Sequence, residues 1–321
     1  PSILTALSDG QLNESSCAQF RPDTQVAVSI FDADPADCSA IAAALASEVQ
    51  EGGCALAILN TVSRAQAVYS DLKARGVDAI LLHGRLTAAE RAARTKRTLD
   101  LLGPTGRRPE RLVVVATQIA EQSFDVDADV LYSDIAPMDL LLQRVGRLHR
   151  HEVHAEDRPV RHRVARLVVT GLTSGRGVPA WAPAFAEAAD SEPSSRTNAH
   201  RTVYRPLPLL AAASVVKDQP TWSIPGDVPG LVADAYASSW SGPVAWRPLA
   251  AAAACHERAE DEARKSRAAT YRLDADPATQ ASDLWGLHTL ASAERDDGFT
   301  PVVRDGDESV EVCLIGRNED G

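Results

Sequence analysis

The feature that most constrains the fold is the alternation of short apolar segments with capped helical segments between residues 25 and 170. Ser63 precedes Gln66 by three residues, and Thr87 precedes Glu90 by three, which is the pattern of a capping box at a helix start. Six apolar segments predict strands, at 26–31, 54–59, 77–82, 112–116, 130–134 and 164–170. The alternation is typical of an α/β fold in which helices cover both faces of a parallel sheet.

The remaining helix signals agree with this interpretation. Asp34 followed by Pro35 predicts an N-cap and a first helical position, with a helix running to Gln50. The helix that starts at Ser63 is predicted to stop at Gly76. Further helices are predicted from Thr87 to about residue 102 and near 138–147.

Outside this region the sequence changes character. Residues 171–230 are rich in glycine, proline and serine and are predicted to be a long connector, and helices are predicted near 227–240 and 248–268. Residues 301–315 predict a hairpin, and the end of the chain soon after it leaves open that the last domain is truncated. We therefore predict a lobe followed by a smaller, mixed α+β domain. The predicted divisions are 1–24 (a linker or the remnant of a preceding lobe, polar and irregular), 25–172 (the lobe), 173–205 (a connector) and 206–321 (a C-terminal accessory domain).

Charge and composition restrict the class of partner. The net charge of −11 at pH 7 at first opposes nucleic-acid binding, but residues 60–170 hold 18 basic and 14 acidic side chains, a net of +4. Contacts with a nucleic acid are therefore expected in one groove and should be sensitive to salt. The five tryptophans all lie after residue 180 and are expected to anchor the core of the second domain.

The chain has no apolar run that could cross a bilayer and no pattern of a signal peptide, so we expect no membrane association. Its five cysteines are far apart and show neither a disulfide framework nor a zinc spacing. Both features indicate a reducing, cytoplasmic location.

Residues 143–150, QRVGRLHR, follow an apolar helical run. The spacing of three would put Arg144, Arg147 and Arg150 near one side of a helix turn, where they could converge on an anion. Guanidinium groups suit phosphate oxygens and can stabilise charge that develops in phosphoryl transfer. Ordinary ion pairs on a helix surface are the alternative interpretation.

These segments resemble a known family. QRVGRLHR resembles motif VI of superfamily 2 helicases, and residues 116–127, ATQIAEQSFDVD, resemble motif V. The variant of motif V, followed by 134–137, DIAP, more narrowly resembles the CRISPR-associated helicase-nuclease of type I systems. Residues 60–66, NTVSRAQ, and 82–86, LHGRL, are similar to two further motifs of that family, and residues 224–236 more weakly resemble part of its C-terminal domain.

The resemblance implies a fold and site residues. The lobe would be the second of two RecA-like lobes that close over ATP and Mg²⁺. The implied catalytic residues are the arginine fingers Arg147 and Arg150, with Gln143. The implied ATP-binding residues are Asp125, Arg144 and Gly146. The implied nucleic-acid-binding residues are Thr61, His83, Arg85, Thr117 and Gln118.

The implied partners are single-stranded DNA, the first RecA-like lobe, a nuclease domain and a guide-RNA surveillance complex. The sequence contains no Gly-Lys and no His-Asp dipeptide, so it shows neither the phosphate loop of a first lobe nor a trace of the nuclease domain. This chain alone is therefore expected to lack ATPase activity and to bind DNA weakly.

Several alternatives stay open. Asp125, Asp127 and Asp129 could be solvent-facing acids of a polar loop, and Ser63 and Thr87 could act only as helix caps. Arg91, Arg94 and Arg97 could follow a phosphate strand or form a solvated helix face. His149, His151 and His154 have no nearby cysteine to complete a metal site, and we predict none. For function, the competitors are another superfamily 2 helicase, a non-catalytic binder of DNA or of the guide complex, and a Rossmann-like enzyme, against which the absence of G-x-G-x-x-G counts.

Overall fold

A computed structural model describes residues 2–8, 11–17, 22–34, 36–121, 124–172, 179 and 203–269. Residues Pro1–Asp261 form one compact unit. Residues Glu262–Gly321 form a second unit, of which only 262–269, the end of the last described helix, is described.

The described strands and helices follow the predicted alternation. The strands are β1 Ser2–Ser8, β2 Gln11–Cys17, β3 Thr24–Ile30, β4 Gly53–Ile58, β5 Ala79–Leu82, β6 Arg111–Ala116, β7 Val130–Asp134, β8 Ala165–Thr170 and β9 Thr221–Ile224. The helices are α1 Cys38–Glu48, α2 Val62–Ala74, α3 Ala88–Leu102, α4 Met138–Val145, α5 Pro206–Asp218, α6 Val228–Ala235 and α7 Arg247–Ala269.

The main sheet has seven strands in the order β5-β6-β4-β7-β8-β3-β9. All neighbours pair in parallel except β3 and β9, which pair antiparallel at the edge. The predicted parallel α/β fold is therefore confirmed. The crossovers place helices on both faces, because parallel neighbours cannot be joined by a tight turn.

Strand β4 shows how the sheet separates two cores. Every residue of β4 is buried. Cys54, Leu56 and Ile58 belong to one apolar core, and Ala55 and Ala57 belong to the other. Successive side chains of a strand point to opposite faces, so a strand buried on both sides needs a continuous apolar sequence. The core that contains Ala55 is closed by α1 and α2, and the opposite core by residues of α4 and α5.

Two helix starts differ from the predicted positions. The first helix begins after Asp37, whose carboxylate accepts a hydrogen bond from the backbone N–H of Ala40, whereas Asp34 only closes a turn with the N–H of Ala36. The second helix is capped by Thr61, whose hydroxyl accepts from the N–H of Arg64, and not by Ser63. In both cases a neighbouring side chain with the same capping chemistry occupies the N-cap position.

The capping box at Thr87 is confirmed. The Thr87 hydroxyl accepts a hydrogen bond from the backbone N–H of Glu90 at 3.2 Å. It also lies 3.1 Å from the side-chain carboxylate of Glu90. The second helix ends at Ala74 with Arg75 as its C-cap, and Gly76 follows at the predicted stop with a φ of +74° that favours glycine.

Among the described residues, 203–230 differ most from the prediction of a connector. Pro206–Asp218 form α5, eight of whose residues are buried, and Thr221–Ile224 form β9. Proline lies within the first turn of α5, where its missing N–H costs nothing, so the proline-rich composition hid a helix start. Trp222 of β9 and Trp246 are fully buried in the same core as Val26 of β3.

The irregular conformation predicted for the start of the chain also differs from the structure, whereas its assignment as a linker or the remnant of a preceding lobe stays a prediction. Strands β1 and β2 form an antiparallel two-stranded sheet that is not part of the main sheet. The division of the chain at 172 and 206 remains a prediction. Helix α5 and strand β9 belong to the same compact unit as the lobe. The predicted hairpin at 301–315 lies outside the described residues.

Candidate nucleotide and nucleic-acid site

The predicted nucleic-acid residues lie at the carboxyl ends of three neighbouring strands. Thr61 follows β4, His83 and Arg85 follow β5, and Thr117 and Gln118 follow β6. The sheet order β5-β6-β4 brings these ends to the same edge. The loops at the carboxyl ends of parallel strands are where such folds usually meet ligands.

Their side chains are not equally accessible. Arg85 is exposed, whereas His83 is 3% exposed and its Nε2 lies 3.4 Å from Nε2 of Gln66. Burial, followed by the charge of Arg94, lowers the pKa of His83, so its imidazole is neutral at pH 7. Arg85 is therefore the charged group of this set that is best placed to meet a phosphate.

Thr61, Thr117 and Gln118 are held by the lobe itself. Thr61 caps α2, and Thr117 is 4% exposed, with its backbone N–H bonded to the carbonyl of Leu82. The side chain of Gln118 donates from Nε2 to the carbonyl of Asn60 at 2.9 Å. These three uncharged side chains shape the sheet edge at the strand ends and add no charge to it.

The predicted convergence of Arg144, Arg147 and Arg150 on one anion is wrong for Arg144. Helix α4 ends at Val145, so the later arginines do not continue the helical spacing. Arg144 is 0% exposed and points into the lobe. In this arrangement the buried guanidinium of Arg144 cannot contact a phosphate that binds at the surface.

Arg144 is satisfied by six hydrogen bonds. Its Nε and Nη2 donate to Oε1 of Glu121, and Nη2 also donates to Oδ1 of Asn60 and to the hydroxyl of Tyr204. Its Nη1 donates to the Ser133 hydroxyl at 2.8 Å and to a main-chain carbonyl of β7 at 2.9 Å. A buried charge needs such partners, and here they come from motif V, from two strand ends and from residue 204.

Arg147 is half-buried just beyond α4. Its Nη2 donates to the main-chain carbonyl of Glu121 at 2.9 Å, and its Nε is buried without a hydrogen-bond partner. Burial, with the charge of Arg150, lowers the pKa of Arg147. This guanidinium is oriented but incompletely satisfied, which suits a group that gains partners when an anion arrives.

Arg150 and Asp125 form a partly exposed ion pair. Nε of Arg150 donates to Oδ1 of Asp125 at 2.5 Å, and the side chains are 39% and 49% exposed. Burial alone would raise the pKa of Asp125, but the hydrogen bond and charge of Arg150 hold it below its ordinary value. The pair joins the two predicted nucleotide motifs at the surface of the lobe.

Asp127 and Asp129 are buried, so the interpretation of these acids as solvent-facing is wrong. Arg158 donates from Nη2 to Asp127 and from Nη1 to Asp129, both at 2.7 Å, and Arg108 lies 2.5 Å from Asp129. Asp127 also accepts the backbone N–H of Arg150 at 2.9 Å. This group of four charges fixes the loop that carries Asp125 against the residues that follow α4.

Sequence analysis missed Arg108 and Arg158. Both lie in polar stretches far from Asp127 in the chain, and nothing in their local sequence distinguishes them from surface arginines. The closely spaced acids before β7 were the available sequence signal for such arginines, because acids that become buried need cationic partners.

The remaining predicted residues lie at the end of α4. Gly146 is the C-cap of this helix, and its backbone N–H bonds to the carbonyl of Leu142. Gln143 is exposed on the last turn.

Within the described part of the chain, no group of three His, Cys, Asp or Glu side chains could hold a metal ion. No helix among the described residues is long and apolar enough to cross a membrane.

Comparisons with known proteins point to one family. Residues 51–153 match the family described as "CRISPR-associated nuclease/helicase Cas3, C-terminal". The Cas3 nuclease/helicase of Streptococcus thermophilus is 44% identical over 127 residues, covering 38% of this chain and 13% of that protein. The Cas3 endonuclease/helicase of Thermus thermophilus is 34% identical over 257 residues, covering 77% of this chain and 25% of that protein.

Solved structures agree with the sequence matches. A crystal structure of a CRISPR-associated protein superposes with a TM-score of 0.70 and 31% identity, covering 83% of this chain and 28% of that one. The T. fusca Cas3–AMPPNP structure gives a TM-score of 0.67 and 29% identity over 81% of this chain and 29% of that one. A chain of a CRISPR RNA-guided surveillance complex in a pre-nicking state gives 0.63 and 26% identity over 84% of this chain and 32% of that one.

This chain spans about a quarter of the length of the Thermus relative. The family match covers residues 51–153, which is the larger part of the lobe and includes both motif segments. The RecA-like fold and these matches identify the lobe as the C-terminal helicase lobe of the Cas3 family.

Proposed function

We propose that this chain supplies one side of a nucleotide site in an ATP-dependent DNA helicase-nuclease of CRISPR defence. The observation that carries the proposal is the arrangement of Arg147. Its guanidinium is held by the carbonyl of Glu121 and has one buried, unpaired N–H, and Arg150 lies beside it in a partly exposed pair with Asp125.

The chemistry follows from these groups. ATP bound with Mg²⁺ supplies the phosphoryl group whose transfer releases energy for movement. Arg147 would stabilise the negative charge that develops on the phosphate oxygens, and an arginine in that role contributes roughly 10³–10⁵ to the rate. The T. fusca Cas3 neighbour is a complex with AMPPNP, a nucleotide analogue, which supports nucleotide use by the family.

Arg150 and Asp125 would act together. In the structure the carboxylate of Asp125 neutralises Arg150. We propose that Asp125 turns toward the ribose hydroxyls when nucleotide enters, which leaves Arg150 to a phosphate. Gln143 and Gly146, at the end of α4, would border the first lobe.

The edge formed by the ends of β4, β5 and β6 would hold single-stranded DNA. Arg85 supplies charge, and Thr61, Thr117, Gln118 and His83 supply polar groups that carry little base information. Residues 60–170, which contain this edge and both motif segments, have a net charge of +4, which supports phosphate contacts despite the acidic total.

The partners are likewise proposals. A nucleotide site of this kind needs a first RecA-like lobe with a phosphate loop, and the names of the relatives add a nuclease. One structural neighbour belongs to a guide-RNA surveillance complex, so we propose that complex as the docking partner.

A non-catalytic role is the second candidate. The sequence has no Gly-Lys dipeptide and therefore no phosphate loop of its own. In this alternative the chain binds DNA or the guide complex without any turnover.

Association with a first lobe tests the proposal. We expect this chain and a separately expressed Cas3 first lobe to associate more tightly with AMPPNP than without it, measured by sedimentation velocity. Arg147→Ala should remove the effect of nucleotide, and Arg97→Ala, an exposed arginine of α3, should retain it. Association that ignores nucleotide in the unaltered chain would favour the non-catalytic alternative.

A further inference from the structure

Tyr204 connects residues that the family motifs do not join. It lies at the end of the predicted connector, 173–205, just before α5, so it belongs to neither helicase motif. Its hydroxyl accepts a hydrogen bond from Nη2 of Arg144 at 3.0 Å and interacts with the side chain of Gln118. Gln118 is one of the residues at the proposed DNA edge.

A short chain of contacts leads from Tyr204 to Arg147. The same Nη2 of Arg144 donates to Oε1 of Glu121 at 2.6 Å. The main-chain carbonyl of Glu121 then accepts from Nη2 of Arg147 at 2.9 Å. Glu121 thus orients Arg147 through its backbone and is itself held through its side chain.

Because Arg144 and Glu121 are buried, the hydrogen bonds between these groups are hard to replace. Arg144 is 0% exposed and Glu121 is 8% exposed, so neither can replace a lost partner with bulk water. Burial, against the charge of Arg144, raises the pKa of Tyr204, so its hydroxyl stays protonated at neutral pH. The half-buried phenol of Tyr204 beside the buried guanidinium restricts where Arg144 can direct its donors.

We propose that Tyr204 is a positioning residue for Arg147, acting through Arg144 and Glu121. The functional meaning of this role rests on the proposed function, in which Arg147 contacts the nucleotide. The contact of Tyr204 with Gln118 gives the same hydroxyl a link to the proposed DNA edge. Tyr204 itself touches neither nucleotide nor DNA in this account.

Tyr204→Phe removes the hydroxyl and keeps the ring. Tyr132→Phe is the matched control, because the Tyr132 hydroxyl bonds to Glu48 at 3.3 Å and lies in the core on the opposite face of the sheet. Each variant loses one tyrosine hydroxyl with a charged partner. A general loss of stability would therefore speed hydrogen exchange in both variants.

The measurement is hydrogen exchange of the arginine Nε–H groups in the full 321-residue chain, followed by NMR without nucleotide or DNA. The Nε of Arg147 is buried, so its exchange reports local opening. In Tyr204→Phe we expect this exchange to become roughly threefold to thirtyfold faster, as the loss of one hydrogen bond to a charged group allows. Core amides of β4 and β6 should exchange at the rate of the unaltered chain.

An unchanged Arg147 rate in Tyr204→Phe would overturn the proposal. So would an equal acceleration in Tyr132→Phe, or an acceleration shared by the core amides, because either result would mean a global effect. The experiment uses no ATP, so it is separate from a test of the proposed function. Failure of ATP turnover in a reconstituted enzyme would overturn that function and leave the positioning result standing.

Discussion

Arg144 donates from both Nε and Nη2 to one carboxylate oxygen, Oε1 of Glu121, at 2.9 and 2.6 Å. Arg144 lies on the last turn of α4, in motif VI, and Glu121 lies in motif V, so this buried pair joins the two motifs inside the lobe. The adjacent main-chain carbonyl of Glu121 orients Arg147. One residue of motif V therefore connects a core arginine with an arginine at the surface.

The first prediction concerns stability. Arg144→Met should lower the free energy of unfolding by about 3–5 kcal/mol, because it leaves the Glu121 carboxylate buried without its partner. Urea unfolding followed by circular dichroism measures the change. Arg97→Met, on an exposed position of α3, should change it by less than about 0.5 kcal/mol. A loss at Arg144 no larger than at Arg97 would contradict the buried-pair account.

The second prediction concerns the dependence of stability on pH. Burial, with the charge of Arg158, lowers the pKa of His149 from 6.5 to about 4. The unfolded chain therefore binds this proton first as pH falls, so stability is full above pH 6.5 and declines toward pH 4. We expect His149 to contribute about 1–3 kcal/mol to this decline, discounted for its partial exposure.

The control for this experiment is His149→Asn. Residue 149 has a φ of +45°, which asparagine tolerates better than most residues. Thermal unfolding between pH 7 and pH 4.5 should depend less on pH in the variant than in the unaltered chain. Identical pH profiles would mean that His149 is not buried in its neutral form.

The third prediction uses two glycines with positive φ. Gly53 has a φ of +111°, and a Cβ there would lie 2.6 Å from the ring of the buried His162. Gly53→Ala should therefore combine strain with a clash and cost about 2–4 kcal/mol. Gly76→Ala, with a φ of +74° and open space around it, should cost only about 1 kcal/mol. Equal costs at the two positions would show that His162 does not pack against Gly53.

The fourth prediction concerns DNA. Arg85→Ala should weaken binding of a thymidine oligonucleotide and reduce the slope of log affinity against log salt by about 0.7, the value for one phosphate contact with a single strand. Fluorescence anisotropy at several salt concentrations measures the slope. Lys96→Ala is the control, because Lys96 is paired with Asp100 on α3, away from the strand ends. If Lys96→Ala and Arg85→Ala lower the slope equally, the binding is diffuse and does not centre on this edge.

Much of the fold could be predicted because the local signals are strong. Strand β7 was predicted at its observed bounds, and the capping box at Thr87 marked the start of α3. Sequence could not decide between Asp34 and Asp37, or between Thr61 and Ser63, since each pair offers the same capping chemistry within a few residues. Helix α5 was missed because its prolines indicate a loop unless they are known to lie in a first turn.

The site was less predictable than the fold. Motif resemblance brought Arg147, Arg150 and Asp125 into one region, and the structure places the last two in contact. It did not distinguish Arg144, which is buried, because a spacing of three says nothing about where α4 ends. The partners of Asp127 depend on contacts across 19 and 31 positions of the chain, which no local pattern specifies.

The most direct test of the central claim is ATP hydrolysis stimulated by single-stranded DNA, measured on this chain mixed with a separately expressed Cas3 first lobe. The account predicts turnover that needs both pieces and falls by roughly 10³-fold or more in Arg147→Ala, as for an arginine finger. Arg97→Ala should retain turnover. No turnover from folded pieces that bind each other, or full turnover in Arg147→Ala, would contradict the claim that this lobe supplies the finger.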